Sequence, residues 1–237
     1  MTRLSVNINK VALLRNSRKG NFPDLIQVAK DCEAFGAQGI TVHPRPDERH
    51  IRYSDVSLLK EVVKTEFNIE GYPNRRFMDL VTSVKPDQCT LVPDPPGVLT
   101  SDTGWDTVEQ QEFLKDVISE LKDAGIRVSL FLDPHPKMVT SAKQCGADRI
   151  ELYTGEYAHH YNKNPRKAVA DHVNASKEAQ IIGIGLNAGH DLNLRNLKFY
   201  KQQVINLLEV SIGHALIADA IYYGLQNTIQ MYMLRLE

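Results

Sequence analysis

The chain has 237 residues, 42% of them hydrophobic, and sets 28 Lys and Arg against 29 Asp and Glu, a formal net charge of -1. That balance supplies a large core but no global field for nucleic acid or an anionic membrane, so any anion must be held locally by placed cations and backbone N–H groups. Three widely spaced cysteines, Cys32, Cys89 and Cys145, argue against a disulfide framework or a zinc site and suit a reducing cytosol. The polar start MTRLSVNINK lacks the apolar core of a signal peptide, and no apolar run approaches the roughly 18–20 residues of a membrane span, so a soluble cytoplasmic protein is expected.

In chain order, LSVNIN (4–9) reads as a strand that ends in Asn7 and Asn9, with Lys10 next. A helix over 24–35 starts at Asp24, after Pro23, and closes on AFGAQGI. GITVHP (39–44) is a β-branched strand that delivers His43, then Arg45, Arg49 and His50, spaced by Pro44 and Pro46. Ser54 can cap a helix over 54–66; NIEGYP (68–73) is a strand carrying Glu70, and a helix over 74–84 follows. QCTLVP (88–93) runs into PDPPGVLTSDTGWD (93–106), a long loop of the kind that covers active sites.

A helix over 107–124 ends on DAGIRV, and RVSLFLD (127–133) ends in Asp133 and His135, which read as helix-start caps as readily as catalytic groups. A helix over 136–144 ends on QCGADRI, and RIELYT (149–154) carries Glu151. His159 and His160 fall in a polar loop and read as solvent-facing. After a helix over 165–178, IIGIGLN (181–187) places Gly183 and Gly185 inside a seventh strand, followed by NAGH with Asn187 and His190. A helix over 193–202, the strand EVSIGHA (209–215) and a final helix over 214–234 complete the chain; the last helix is apolar around much of its surface, which suits an added subunit contact.

Eight strands alternating with eight helices is the arithmetic of an α/β protein of the (β/α)8 TIM-barrel type, a single domain over 1–237 with small extra helical elements. An open doubly wound sheet would want a Gly-rich turn after the first strand, and none is there. In a barrel the chemistry belongs at the C-terminal ends of strands. Polar groups gather at those ends, whereas strand starts read as mostly apolar or Gly with the odd exposed Arg.

Glu70 is the sharpest candidate. A carboxylate inside a strand covered on both faces must point to the mouth of the lumen, where burial raises its pKa toward that of a general base. Gly213, between the eighth strand and the last helix, opens an anion cradle, and LNAGHDLN gives a second backbone-rich turn. Arg18, Arg45, His50 and Thr100 are candidates to hold another anion. Two anion sites flanking a Glu and two His suggest that two phosphorylated substrates are joined.

The blocks VNINKVALLRNSR, GITVHPRPDERHI, NIEG, KPDQCTLVP, VSLFLD, IELYTG, LNAGHDLN and SIGHALI, in this order, resemble the signature blocks of the pyridoxine 5'-phosphate synthase family across nearly the whole chain. The resemblance implies condensation of 1-deoxy-D-xylulose 5-phosphate with 3-amino-2-oxopropyl phosphate, without metal or organic cofactor, in a homo-octamer built from dimers. By position it implies acid/base roles for His43, Glu70 and His190. It implies substrate contacts for Asn7, Arg18, Arg45, His50, Thr100, Gly213 and His214, and a supporting role for Glu151. Two departures stand out. Asn9 and Lys10 replace a commoner Asp-His pair, and Asp191 stands where Gly is commoner; all three are carried as substrate-side candidates, with Lys10 expected to meet a substrate hydroxyl or phosphate.

Rival readings meet obstacles. A Schiff-base aldolase wants a Lys inside RIELYT, and a metal-dependent hydrolase wants H-x-H where the first strand has NIN. A non-catalytic phosphate-ligand sensor would have replaced bases, yet His43, Glu70 and His190 are present.

Overall fold

Alternation with a period of two decides the architecture. The computed structural model describes residues 1–94 and 102–237; residues 95–101 of the loop after the fourth strand, Thr100 among them, lie outside the described residues. The strands are β1 (Arg3–Asn7), β2 (Gly39–Val42), β3 (Glu66–Gly71), β4 (Gln88–Leu91), β5 (Arg127–Leu132), β6 (Arg149–Tyr153), β7 (Gly185–Gly189) and β8 (Leu207–Ile212). All neighbours pair in parallel and β1 pairs with β8, so the sheet closes into a barrel in sequence order. This is the expected (β/α)8 barrel.

Between the strands lie α1 (Asn9–Asn16), α2 (Leu25–Ala34), α3 (Tyr53–Val62), α4 (Arg75–Val84), α5 (Gln111–Asp123) and α6 (Pro136–Gln144). Then come α7 (Gly155–Tyr161), α8 (Pro165–Ala168), α9 (Ala170–Ile182), α10 (Leu197–Gln203), α11 (His214–Tyr223) and α12 (Leu225–Leu236). Along each strand the outward set is apolar: Leu4 and Val6, Ile40 and Val42, Phe67 and Ile69, Val128 and Leu130 are buried against the helices. Each fully buried aliphatic side chain of this kind contributes about 1.5–3 kcal/mol.

The inward set is polar. The Ser5 and Thr41 hydroxyls are 2.7 Å apart, the Asn68 amide donates to Thr41, and Thr90 donates to Asn68 at 3.0 Å. This hydroxyl and amide layer fills the middle of a lumen that many barrels pack with Val, Ile and Leu. Below it, at the strand starts, Arg3, Arg127 and Arg149 surround Glu66 in ion pairs, beside a buried Glu209. Strand starts are therefore not mostly apolar; they carry an ionic plug. Glu66 was misplaced because the third strand begins two residues earlier than the pattern suggested.

Local signals account for most boundaries. Asp24 caps α2 through the Ile26 and Gln27 N–H groups, and Asn74 caps α4 through Phe77 N–H. Gly36, Gly125 and Gly146 turn out of α2, α5 and α6 at φ 108°, 79° and 93°, as expected of glycines that end helices.

Other expectations need correction. Ser54 does not cap α3; Asp55 reaches back to the Arg52 N–H at 2.8 Å. Gly183 does not sit in a strand but ends α9 at φ 66°, so β7 starts only at Gly185. Gly185 does pack against the wall, where a Cβ would meet the Arg149 side chain at 2.6 Å. The helix expected over 165–178 is two, α8 and α9, and the final helix breaks at Gly224 into α11 and α12. His159 and His160 lie on the helix α7, not in a loop, although both are exposed.

Candidate active site

The mouth of the barrel holds a cavity of about 620 Å³. Its walls include Asn7 at the end of β1, Asn9 and Lys10 after it, His43, Arg45 and His50 after β2, Glu70 on β3, and Glu151 on β6. His190 and Asp191 after β7 and Gly213 and His214 after β8 complete the set. Of the residues to which the resemblance gives a role, Arg18 is not among them, and neither are Asp133 and His135 of the strand-end candidates. Thr100 is outside the described residues, and Arg18 is exposed beyond the end of α1. Asp133 is engaged instead with the Gly104 N–H at 3.1 Å, and His135 is the residue before α6.

Glu70 reaches the mouth because Glu66, Asn68 and Glu70 share the inward face of β3. Its Oε2 accepts from the Asn7 amide at 3.3 Å and lies 4.0 Å from His43 Nδ1. Burial pushes its carboxyl up to about 7, against the pull of His190 and Arg45 and with the push of Asp94. Glu151, deeper in the lumen, is raised well above the usual carboxylate range by burial, then by the charges of Glu70 and Glu209. That environment favours its protonated form, which can donate a hydrogen bond beneath the site.

His43 is held well below the usual imidazole value by burial, then by Arg45, His50 and Arg49. His50 is lowered to about 4 by burial, Arg45, Lys10 and Arg49, and its Nδ1 accepts the Ile51 N–H at 2.9 Å. Both imidazoles are neutral at pH 7, facing each other edge to face with ring centroids 6.2 Å apart. A neutral imidazole beside a carboxyl poised near 7 is a pair able to pass protons in either direction.

The first turn after β1 is built on side-chain amides. Asn7 Oδ1 accepts the Asn9 N–H at 3.0 Å, and Asn9 Oδ1 accepts the His43 N–H at 2.9 Å. Asn9 thus aims the His43 backbone, a task an amide performs as well as a carboxylate. Gly213 precedes α11 with Asn7 pressed against it: a Cβ there would stand 3.1 Å from the Asn7 side chain and carbonyl. Gly213, His214 and Ala215, where α11 begins, line the cavity, so the unpaired N–H groups of a helix start lie at its wall.

Two contributors escaped the sequence reading. Asp94, just after β4, pairs with Arg45 at 2.8 Å and holds the guanidinium at the rim. Tyr153, the last inward residue of β6, lies edge-on to His190 with centroids 5.5 Å apart. The period of two along RIELY would have found Tyr153, and Asp94 lay in the loop that was read as a whole. Among the described residues no group of three or more His, Cys, Asp or Glu side chains is placed to hold a metal ion.

Residues 4–237 match the family model described as "Pyridoxal phosphate biosynthesis protein PdxJ". The chain is 58% identical over 237 residues to the pyridoxine 5'-phosphate synthase of Cytophaga hutchinsonii, with 100% of both chains covered. It is 60% identical over 232 residues to that of Bacteroides thetaiotaomicron, with 98% of both covered. Among solved structures, phosphoribosylanthranilate isomerase from Thermotoga maritima superposes with a TM-score of 0.62 at 12% identity, covering 100% of this chain and 98% of that one. Thiamine phosphate pyrophosphorylase from Pyrococcus furiosus gives 0.61 at 11%, covering 99% and 95%. These two likenesses are likenesses of fold.

Proposed function

Since the chain belongs to the PdxJ family, we propose that its cavity condenses 1-deoxy-D-xylulose 5-phosphate with 3-amino-2-oxopropyl phosphate to pyridoxine 5'-phosphate, releasing phosphate and water. The observation that carries this reading at the site is Glu70, largely buried at the mouth between His43 and the His190 side of the rim, with its carboxyl near 7.

The amine of one substrate must attack the ketone of the other. Carbonyl oxygens then need protons, water must leave, and C–H protons must be removed before the ring closes. Glu70 is the principal proton shuttle, His43 assists dehydration and enolisation, and His190 serves phosphate departure or ring closure. Glu151, whose carboxyl burial shifts toward the neutral form, supports Glu70 from below by limiting negative charge in the lumen. One phosphate is held by the N–H groups after Gly213 with His214, the other by Arg45, His50 and Lys10; Asn7 and Asn9 orient the substrates and the His43 backbone.

The test is direct. Incubated with the two phosphates, the purified chain is expected to generate the absorbance of pyridoxine phosphate in step with release of inorganic phosphate. Phosphate release without that chromophore, or neither, would refute the reaction.

Assembly follows the family, as a homo-octamer built from dimers. In support, Leu14 on α1 and Ile221 and Tyr222 on α11, a helix in contact with it, are large apolar side chains that the single chain leaves exposed. Light scattering is expected to give a mass several times the 26.7 kDa of one chain; a monomer at micromolar concentration would overturn it. The cytoplasm is the proposed compartment, in keeping with three buried free thiols and with the lack, among the described residues, of a helix long and apolar enough to cross a membrane.

A further inference from the structure

Asp191 stands next to His190 in sequence and against it in space, with Oδ2 2.6 Å from Nδ1. Consecutive side chains on a strand point to opposite faces. These two meet because the chain leaves β7 at Gly189 and passes through His190 at φ 88°, a left-handed conformation uncommon for a residue with a side chain.

Neighbouring groups hold that turn. The His190 N–H donates to the Ser211 carbonyl at 3.3 Å, and the Asp191 N–H donates to Thr154 Oγ1 at 3.1 Å. The Thr154 hydroxyl donates to the Gly189 carbonyl at 2.6 Å, and the Asp191 carbonyl accepts the Asn193 and Asn196 amides at 3.4 and 3.3 Å. The peptide between the two residues is thus fixed on both sides, and the pairing of their side chains is a built feature of the rim.

An ionised carboxylate can only accept, so Nδ1 carries the hydrogen and proton exchange with a substrate runs through Nε2. We propose that Asp191 is a positioning residue for His190, holding its Nδ1–H tautomer and the direction of its ring, and is not a phosphate contact. This inference rests on the reaction proposed above and deepens it. A carboxylate turned toward a bound phosphate would repel it; turned onto the imidazole, the same charge stabilises the imidazolium that forms when His190 takes a proton. Other titratable groups line the cavity with His190: Glu70 from β3, Glu151 from β6, His43, Arg45, Arg49 and His50 after β2, Lys10 on α1 and His214 on α11, while Tyr153 of β6 packs against its ring.

The test uses Asp191→Asn, with Asp191→Gly as a second variant should the amide disturb folding, each checked by circular dichroism. In Asp191→Asn the imidazole nitrogen resonances of His190 are expected to lose their Nδ1–H signature. Its kcat is expected to fall about tenfold or more, with both KM values within about threefold of the parent. Unchanged imidazole resonances, an unchanged kcat, or a raised KM at full kcat would each overturn the positioning role while leaving the reaction standing. A parent that forms no pyridoxine phosphate would instead refute the reaction, and the resonances alone would then decide the pairing.

Discussion

Replacing Glu70 with glutamine is expected to lower kcat by about 10²–10⁴-fold, the range that a positioned acid/base group supplies, without unfolding the protein. The amide keeps an oxygen able to accept from Asn7, as Glu70 Oε2 does at 3.3 Å, and it matches the shape of the protonated carboxyl that the buried site tolerates. What it cannot do is take up and return a proton. In the parent, the carboxyl near 7 makes the base form scarce in acid, so kcat should fall as the pH drops through about 7. His43 does not supply that limb, because burial and the surrounding guanidiniums keep it neutral well below its usual titration range. In Glu70→Gln the limb should vanish along with most of the rate. Turnover within a few-fold of the parent, or an unaltered pH profile, would remove Glu70 from the chemistry and leave His190 and His43 to account for it.

The features legible in the sequence were those with a local cause. Asp24 caps α2 and the glycines at 36, 125 and 146 end helices because one side chain, or its absence, decides the backbone there. Glu70 was legible because a carboxylate in a strand covered on both faces has few places to point. Features set by distant contacts were not. Glu66 looked like the tail of a helix, and its partners Arg3, Arg127 and Arg149 lie on three other strands. Gly183 looked like wall packing, although Gly185 is the glycine that does so. Asp191 read as a charge beside a phosphate; only the turn through His190 shows it meeting the imidazole. Arg18 matched a family position, yet its own chain leaves it exposed beyond α1. A position in a motif does not say whose cavity the side chain enters.

The ionic plug at the closed end of the barrel gives the largest expected effect on stability. Glu66 is 6% exposed and serves Arg3 at 3.1 Å, Arg149 at 3.6 Å and Arg127. Glu66→Ala leaves these guanidiniums facing one another. Removing one member of a fully buried pair costs about 3–5 kcal/mol, but Arg3 and Arg127 are partly exposed and water will reach them, so about 2–4 kcal/mol is expected, or a Tm lower by about 5–15 °C. The layer of Ser5, Thr41, Asn68 and Thr90 separates the plug from the mouth, so kcat below the melting range should stay within about twofold of the parent. Glu209 adds a dependence on pH. Burial, then the charge of Glu66 and a hydrogen bond to it, push its carboxyl up to about 8 against Arg149 and Arg3. Between the usual 4.5 and about 8 the folded chain keeps this proton while the unfolded chain has lost it, so stability must fall as the pH rises across that window. Glu209→Gln can donate the same hydrogen bond with no proton to lose, and its melting temperature should draw ahead of the parent's as the pH goes from about 5 to about 8. If the two curves stay parallel over that range, Glu209 is already ionised in the folded chain, and the plug would then hold two carboxylates among its three guanidiniums.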